Sequence, residues 1–598
     1  MRPNIDRRRF LLGSAAATTA FAGCLSDDDG DDTDEDPSDD TDADTDEMAD
    51  QLNLMQIQQQ TLDPIGISGR AAGRANWQTH EQLFTYAGGT DPVEGLLAED
   101  YSVSEDNLTY TIDLKEDVTF HDGSELTADD VVYSLRRLAE SENNRGHEST
   151  IVGSTLTIAH ERDDDEEIVP DSLAVDAVDD HTVEIELESP FHRTLAVLAD
   201  INCSIIPEGA VGDIEGYDGE YDYDEWSTEH VHGTGPFALE SWDQGNEIVL
   251  ERFDDYHGDG ANIDSIRWQI IEDSNAIYNR AMNENADVFE LPRSQFDPDL
   301  LDVQEEIGNG RRVGEYGPVR NDRTLQYGEV TLPQTTYLLF DTLAVERPAR
   351  QAIAYIVDQE TIAERAYRGQ ATDAYHLTPP ATFPGGPEEY WDRAENEYPY
   401  GYRESRLDDA REVMEDAGYD AENMYETTLH HPSDSNASEW RDIASLLRDQ
   451  AESVHIDLSI EEAPSTTLTN QAIEGSLEIF ATYNELEYDE ADATLQYAYP
   501  NPWTWTQWGQ GDEMSDAAER AAAAWEDYEG AREPGEENEA IREDVYRTLE
   551  SANWEDMTQL PLVHDIRERY SYEWVENLEM VGPQHNQQFT ELTLGDRS

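Results

Sequence analysis

Cys24 is the residue whose type and position most directly predict a chemical modification. It follows Phe21, Ala22 and Gly23, and small residues before a cysteine are typical of a lipobox, in which the thiol is acylated and the cysteine becomes the new N-terminus. The chain has only two cysteines among 598 residues, so a chance cysteine at this position is the weaker alternative. We therefore expect a lipid on Cys24 that holds the chain to a membrane.

The residues before Cys24 have the layout of an export signal. Arg7 and Arg8 lie in a basic segment, and an apolar run from Phe10 to Ala22 follows. This run is too short to span a bilayer as a mature helix, and the arginine pair is typical of the twin-arginine route. Residues 1–24 are therefore predicted to be a twin-arginine signal peptide with a lipobox. The acidic residues 25–50 are predicted to be a disordered tether.

Acidic side chains dominate the whole chain. There are 136 Asp and Glu against 37 Lys and Arg, which gives a formal net charge of −99. In molar salt the Debye length falls to about 3 Å and screens this repulsion, so the composition is typical of adaptation to high salt. The alternative, a polyacidic interaction protein, predicts charge in blocks, and only residues 27–50 form one. The charge also excludes nucleic acid as a partner, because binding it needs a basic footprint.

Signatures of catalysis are absent from the sequence. It contains no G-x-S-x-G elbow, no HExxH motif and no P-loop, and paired acids carry no information in so acidic a chain. His430 and His431 are the only adjacent histidines, and exposed polar residues are the simpler interpretation of that pair. Cys203 has apolar neighbours and is expected to be buried. We expect a protein with no enzymatic activity, no cofactor and no resident metal.

Local patterns predict the elements that would position a binding site. Alternation predicts a strand over Thr109 to Leu114, and Thr127 with Asp130 forms a capping-box-like pair for a helix over 128–138. An amphipathic helix is predicted over 76–89, where glycines end the pattern. These elements carry no chemistry themselves.

An ordered series of motifs runs along almost the whole chain after residue 50. The strongest is FHDGSELTADDVVYSLRR, Phe120 to Arg137, a turn followed by a capped helix. The others are the segments Val175 to Phe191, His232 to Gly258, Ile263 to Glu290, Tyr337 to Ala371, Arg406 to Tyr419 and Leu560 to Asp565. The series resembles the peptide/nickel class (family 5) of extracellular solute-binding proteins of ABC importers. Glu125 and Asp341 depart from the family pattern, in which Pro and Asn are usual.

The resemblance implies an α/β fold of the two-lobe, type II periplasmic-binding-protein kind, with a hinge between the lobes and an extra domain inserted in the first lobe. Lobe I is expected at 51–93, 204–325 and 560–598, the extra domain at 94–203, and lobe II at 326–559. A ligand buried between the lobes would stabilise the closed form. The chain is expected to act as a monomer.

The resemblance also implies a function, which is to capture a solute outside the cell and deliver it to the permease and ATPase subunits of an ABC importer. A peptide or similar oligomer is the first expected ligand, and an oligosaccharide or a nickel chelate is the alternative. A secreted hydrolase is the rival outside this fold class. With the export signal and Cys24, the chain is expected to be lipid-anchored on the extracellular face of the cytoplasmic membrane.

One group of site residues comes from a lobe II motif of the family, in which a carboxylate meets the α-amine of the ligand. In one register Glu487, Tyr488 and Asp489 take these places, with Glu where Asp is usual. In another register Thr482 and Tyr483 take them, and no charge is present. The alternative interpretation of Glu487 is an ordinary solvated acid.

Aromatic residues supply the other candidates. Trp503 and Trp505 lie in an aromatic-rich run that could pack on peptide side chains, stack on sugar rings, or belong to the core of lobe II. Trp77 and Gly235 are expected to line the lobe I side of the cleft.

Overall fold

The computed structural model describes residues 50–597 except 68–72, 90–91, 146–148, 154–155, 165–166, 309, 435, 487, 502–503, 512–513 and 583–587. Arg7, Arg8 and Cys24 lie outside the described residues, as do Glu487 and Trp503. Within the described part of the chain, no helix combines the length and the apolar character that crossing a membrane requires.

The strands of the described residues are numbered in chain order. They are β1 (Gln51–Gln56), β2 (Phe84–Tyr86), β3 (Val93–Gly95), β4 (Ala98–Val103), β5 (Thr109–Leu114), β6 (Val175–Asp179), β7 (Thr182–Glu186), β8 (Phe237–Asp243), β9 (Glu247–Arg252), β10 (Ser265–Ile270), β11 (Val288–Phe289), β12 (Leu301–Gly308), β13 (Arg311–Tyr316), β14 (Leu325–Phe340), β15 (Ala371–Asp373), β16 (Tyr425–Pro432), β17 (Ile456–Ala463), β18 (Ile479–Glu485), β19 (Gln559–Ser571), β20 (Val575–Glu576) and β21 (Thr593–Leu594).

The α-helices of the same residues lie between and around these strands. They are α1 (Asn76–Thr79), α2 (Ala128–Glu140), α3 (Ser149–Val152), α4 (Thr194–Val197), α5 (Tyr223–Glu229), α6 (Ser274–Met282), α7 (Arg347–Ile356), α8 (Gln359–Arg365), α9 (Gly386–Glu397), α10 (Leu407–Asp416), α11 (Ala437–Glu452), α12 (Ser465–Ile473), α13 (Asp492–Leu495), α14 (Asp516–Glu529) and α15 (Glu536–Asp556).

Three sheets organise the molecule into the units that we call lobe I, the extra domain and lobe II. The lobe I sheet has the order β1-β10-β9-β8, and the extra-domain sheet has the order β4-β5-β7-β6. The lobe II sheet runs β11-β19-β14-β18-β16-β17, with β12, β13 and β15 attached. Separate hydrophobic clusters lie against the three sheets. The residue limits that the sequence suggests for each unit remain predictions.

Two long strands, β14 and β19, belong to both lobes. They pair antiparallel from Gln326 opposite Ser571 to Leu339 opposite Gln559, and the register is irregular between Thr331 and Thr335. On one side of this irregularity the strands pack into the lobe I core, and on the other side into the lobe II core. We call β14 and β19 the hinge strands.

The helix predicted over 76–89 is wrong, because only Asn76–Thr79 is helical and β2 follows. Residues 75–84 are largely buried, whereas an amphipathic surface helix needs an exposed face. Their backbone bonds to other segments instead: Thr79 accepts from the Gly235 N–H at 3.0 Å, and Glu81 accepts from the Ile205 N–H at 2.9 Å.

The strand over 109–114 and the capped helix are confirmed. The Asp130 carboxylate accepts from the N–H of Thr127 at 2.7 Å and from its hydroxyl at 2.9 Å, so α2 begins where the capping pair predicts. Cys203 is also buried as expected, at 2 % exposure.

Arg137, the last residue of the strongest motif, joins three segments that are distant in sequence. Its guanidinium donates to both oxygens of Asp63 at 2.9 and 2.8 Å, and to both oxygens of Asp213 at 2.8 and 2.9 Å. The side chains of Arg137 and Asp63 are 1 % and 0 % exposed. The end of this motif is therefore a buried ionic junction between the extra domain and lobe I.

A pair of buried carboxyl groups lies inside the hinge strands. Glu329 and Glu568 stand directly opposite each other across the ladder. The Tyr327 hydroxyl lies within hydrogen-bond distance of both, and the Tyr570 hydroxyl donates to Glu568 at 2.9 Å. Arg312 pairs with Glu329 from the neighbouring strand. Burial, with repulsion from Glu329 as a smaller cause, raises the pKa of Glu568 to about 7.

Replacing Arg137 with Ala is expected to lower the free energy of unfolding by about 3–5 kcal/mol, because two buried carboxylates lose their partner. The measurement is urea unfolding in molar salt, followed by tryptophan fluorescence. The matched control is Arg411→Ala, since Arg411 pairs with a fully exposed Asp408 and should cost at most about 1 kcal/mol. An equal loss of unfolding free energy in the two variants would contradict a buried ionic junction at Arg137.

Glu568 is expected to make stability depend on pH. Its folded pKa lies above the unfolded value of 4.5, so its contribution is fully present below pH 4.5 and is lost as pH rises through about 7, by up to about 3 kcal/mol. In Glu568→Gln this loss should be absent, whereas the exposed control Glu412→Gln should follow the wild type. Urea unfolding across that pH range checks it, and a wild-type-like profile for Glu568→Gln would refute it.

Candidate ligand-binding site

A pocket opens on lobe II where β14 and β18 lie side by side. Tyr337 pairs with Thr482 and Thr335 with Asn484 across the two strands. The pocket contains about 470 Å³ of empty space, part of it open to solvent. An aromatic wall with a few polar groups is typical of small-molecule sites. The wall consists mainly of Tyr337, Tyr483, Tyr497, Trp505, Thr482, Asn484, Thr504, Thr506 and Gln559.

Trp505 holds its place in this wall by packing its ring 5.6 Å from that of Phe480. Its indole nitrogen is buried, and no hydrogen-bond acceptor meets it within the described ranges. A buried tryptophan N–H normally finds a partner, so this donor is available to a ligand. Trp508 differs, because its N–H donates to Asp556 at 2.7 Å and its side chain belongs to the core.

A second pocket, with about 390 Å³ of empty space, lies in lobe I beside β11 and the end of β19. Glu290 bridges Arg74, at 2.7 Å, and Arg569 within it. Enclosure raises the pKa of Glu290, but the two guanidinium groups outweigh it and lower that pKa to about 2. Two cations share one anion here, which leaves a positive pocket in a strongly acidic protein. Trp268 and Phe289 form part of its apolar wall.

The segment after β18 belongs to lobe II and contacts both lobe I and the extra domain. The N–H of Asp489 donates to the Tyr86 hydroxyl at 3.2 Å. The Tyr488 ring meets the Phe191 ring edge-on at 5.6 Å, and Tyr488 is 1 % exposed. Through this segment, lobe II therefore touches both lobe I and the extra domain.

Titratable groups are unusually concentrated at this contact. Burial raises the pKa of both the Glu490 and the Asp492 carboxyl groups, and repulsion from Asp492 adds to the rise at Glu490. Burial, assisted by the charge of Arg542, lowers the pKa of His192 to about 2. The imidazole is therefore neutral at any physiological pH.

The predicted site residues divide into three groups. Trp505 lines the lobe II pocket, while Tyr488 and Asp489 lie at the contact beside it. Trp77 packs on Ile67 and Ile201 and is 8 % exposed, and it is not among the residues that line the lobe I or the lobe II pocket.

Gly235 has a packing role. A Cβ there would lie 2.6 Å from the carbonyl oxygen of Gln78, so only glycine allows this close approach. The predicted roles of Glu487 and Trp503 are not described by the structure, because both residues lie outside the described ranges.

Several lining residues were not predicted from the sequence. Arg74 and Arg569 meet only through the fold, and Gln559 was assigned to no role. Tyr483 had a signal, since it belongs to the alternative register of the lobe II motif. In the structure Tyr483 lines the pocket and Asp489 lies at the lobe contact, so the two registers mark adjacent parts of one segment.

Comparison with known proteins identifies relatives of this fold. The family model for bacterial extracellular solute-binding proteins, family 5 Middle, matches residues 92–505. The glutathione-binding protein GsiB of Escherichia coli O1:K1 / APEC is 26 % identical over 374 residues. That match covers 62 % of this chain and 61 % of the relative, so the chain spans about three fifths of the length of the relative.

Two solved structures have the same two-lobe, type II fold. DppA of Helicobacter pylori in complex with the peptide STSA is 19 % identical, with a TM-score of 0.65 over 91 % of this chain and 98 % of that one. OppA of Haemophilus influenzae in complex with RPPGFSPFR is 17 % identical, with a TM-score of 0.67 over 92 % and 99 %. The family match covers more than half of the residues, and the chain therefore belongs to family 5 of the bacterial extracellular solute-binding proteins.

Proposed function

We propose that the chain is the solute-binding component of an ABC importer and captures a peptide or similar oligomeric solute outside the cell. The observation that supports this most is the position of the aromatic lobe II pocket beside the segment that contacts lobe I. A solute held there is enclosed when the lobes meet, so it stabilises the closed form by its differential affinity. Permease and ATPase subunits then receive the solute from that form.

Hinge closure is the movement that this proposal requires. The irregular register between Thr331 and Thr335 is the place in the β14–β19 ladder where the strands can bend with few broken bonds. The contact of Tyr86 with Asp489 would form at the end of that movement. The chain acts without catalysis in this proposal.

The chemistry of the cleft favours a peptide over the alternatives. A peptide carries an amine, a carboxylate and amide groups, and the cleft offers the acid Asp489 together with the guanidinium pair of Arg74 and Arg569. An oligosaccharide is the second candidate, because the aromatic wall around Trp505 suits stacking on sugar rings. A nickel chelate is the third.

We also propose that the chain leaves the cell by the twin-arginine route and is held to the outer face of the membrane by a lipid on Cys24. The motif at Arg7, Arg8 and Cys24 supports this, and the acidic segment 25–50 would act as a tether. The net charge of −99 supports operation at high salt.

A peptide is expected to raise the melting temperature of the purified protein in molar salt, while matched oligosaccharides and a nickel–histidine chelate leave it unchanged. Binding to the folded state alone contributes about 2.7 kcal/mol at a ligand concentration of about 100 Kd. A thermal-shift screen of short peptides, including glutathione, measures this. Stabilisation by a sugar alone would replace the peptide proposal with the oligosaccharide one.

Trp505→Ala is expected to weaken binding of the stabilising ligand at least about tenfold, or about 1.4 kcal/mol, because it removes a pocket wall. Trp391→Ala is the control, since Trp391 packs on the Tyr390 ring at 4.7 Å and lines neither the lobe I nor the lobe II pocket. Isothermal titration calorimetry gives both Kd values. An unchanged Kd for Trp505→Ala would show that the ligand binds outside this pocket.

Replacing Cys24 with Ser is expected to release the protein from the membrane into the medium, because no thiol remains for acylation. Fractionation and mass spectrometry of the mature N-terminus measure this. Replacing Arg7 and Arg8 with Lys should instead keep the chain inside the cell. A membrane-bound Cys24→Ser protein would refute the anchor.

A further inference from the structure

Three potential metal ligands meet where the extra domain contacts lobe II. His192 comes from the turn before α4, Glu490 lies just before α13, and Asp492 is the first residue of α13. A ring nitrogen of His192 and one oxygen from each carboxyl group all lie within 4.8 Å of one another. Atoms this close can contact a single cation at ordinary bond lengths of about 2.0–2.2 Å after small side-chain shifts.

His192 distinguishes this cluster from the many acidic groups of the chain. Its side chain is 4 % exposed, and neither ring nitrogen has a hydrogen-bond partner within the part of the chain that the structure describes. Asp492 is 1 % exposed, and one of its oxygens is also buried and unpartnered there, while the other accepts from the Tyr528 hydroxyl. Buried polar atoms in native proteins nearly always have a partner, so these atoms point to a bound species.

The ligand set suits a first-row transition-metal cation. One neutral imidazole and two carboxylates form a nitrogen–oxygen set of three, which leaves a fourth position open for water. Calcium prefers six to eight oxygens and magnesium a near-ideal octahedron, so neither matches three ligands that include an imidazole. Zinc is the cation that best fits this number and type of ligand.

The positive charges of nearby arginines repel a cation and limit its affinity for this site. Arg193, Arg532 and Arg542 all act on the charge of His192. Arg542 donates to the carbonyl oxygen of Ala531 at 2.8 Å, and Arg532 stacks over Phe191 at 5.2 Å, so both are held by other contacts. The ligand atoms come from different units, so the full set exists only when lobe II meets the extra domain.

We propose that the closed protein binds one zinc-type divalent cation through His192, Glu490 and Asp492, and that this cation joins the extra domain to lobe II. The site is distinct from the aromatic lobe II pocket, whose lining residues it does not include. It therefore adds a second bound species to the proposed solute and links cation binding to closure. Removal of the cation favours the open form.

The test uses the exported protein, freed of metal with a chelator and dialysed against molar NaCl, which suppresses weak binding to surface acids. Isothermal titration with zinc is expected to show one cation per chain, together with a higher melting temperature. His192→Gln should lose both effects. Cobalt(II) should give a visible absorption spectrum of protein-bound metal in the wild type and not in His192→Gln.

His230→Gln is the matched control, because His230 contacts Glu225 at 3.1 Å but has no third ligand in the described residues, and it should bind zinc like the wild type. Asp492→Asn provides a second variant if His192→Gln does not fold. The proposal is overturned if His192→Gln and Asp492→Asn bind zinc as the wild type does, or if the wild type shows no stoichiometric zinc binding. In either case water, and not a cation, is assigned to the space. Neither result affects solute binding at Trp505, so the two proposals fail separately.

Discussion

The antiparallel pairing of β14 with β19 is the constraint on which the rest of the molecule depends. These strands span 16 and 13 residues, and each contributes side chains to the cores of both lobes. Pairing on both sides of the irregular stretch fixes the two strands, and with them the two lobes, in one register. The register of this ladder is irregular between Thr331 and Thr335, and again between Thr336 and Tyr337.

Basic side chains are scarce in this chain, and arginines form several of the contacts that hold distant segments together. The chain has 37 basic residues against 136 acidic ones, so each guanidinium has many possible partners. Several arginines nevertheless pair with acids from distant segments of the chain. Arg137 joins the extra domain to lobe I through Asp63, and Arg293 joins lobe I to Glu439 at 3.0 Å and Asp565 at 3.3 Å. Because these pairs are largely buried, molar salt screens them less than it screens the acidic surface.

The candidate site was only partly predictable from the sequence. The motif comparison pointed to the segment after β18, because its residues are consecutive in the chain, and their role in binding stays a prediction. Trp505 was singled out because aromatic density is a local signal, and the structure places it in the wall of the lobe II pocket. The cleft roles of Trp77 and Gly235 stay predictions. In the structure Trp77 packs on apolar neighbours, and the backbone of residues 78 and 79 approaches Gly235 too closely for any Cβ.

The sequence by itself determined the features that depend on neighbouring residues. The capping of α2 by Thr127 and Asp130, the strand β5 and the family motifs all follow from local order, since the interacting groups are a few residues apart. Tertiary structure alone decided that the helix beginning at Asn76 ends at Thr79, and that Arg74 meets Arg569 through Glu290. It alone placed His192 beside Asp492 as well. Those outcomes depend on segments that lie hundreds of residues apart and come together only when the hinge strands have paired.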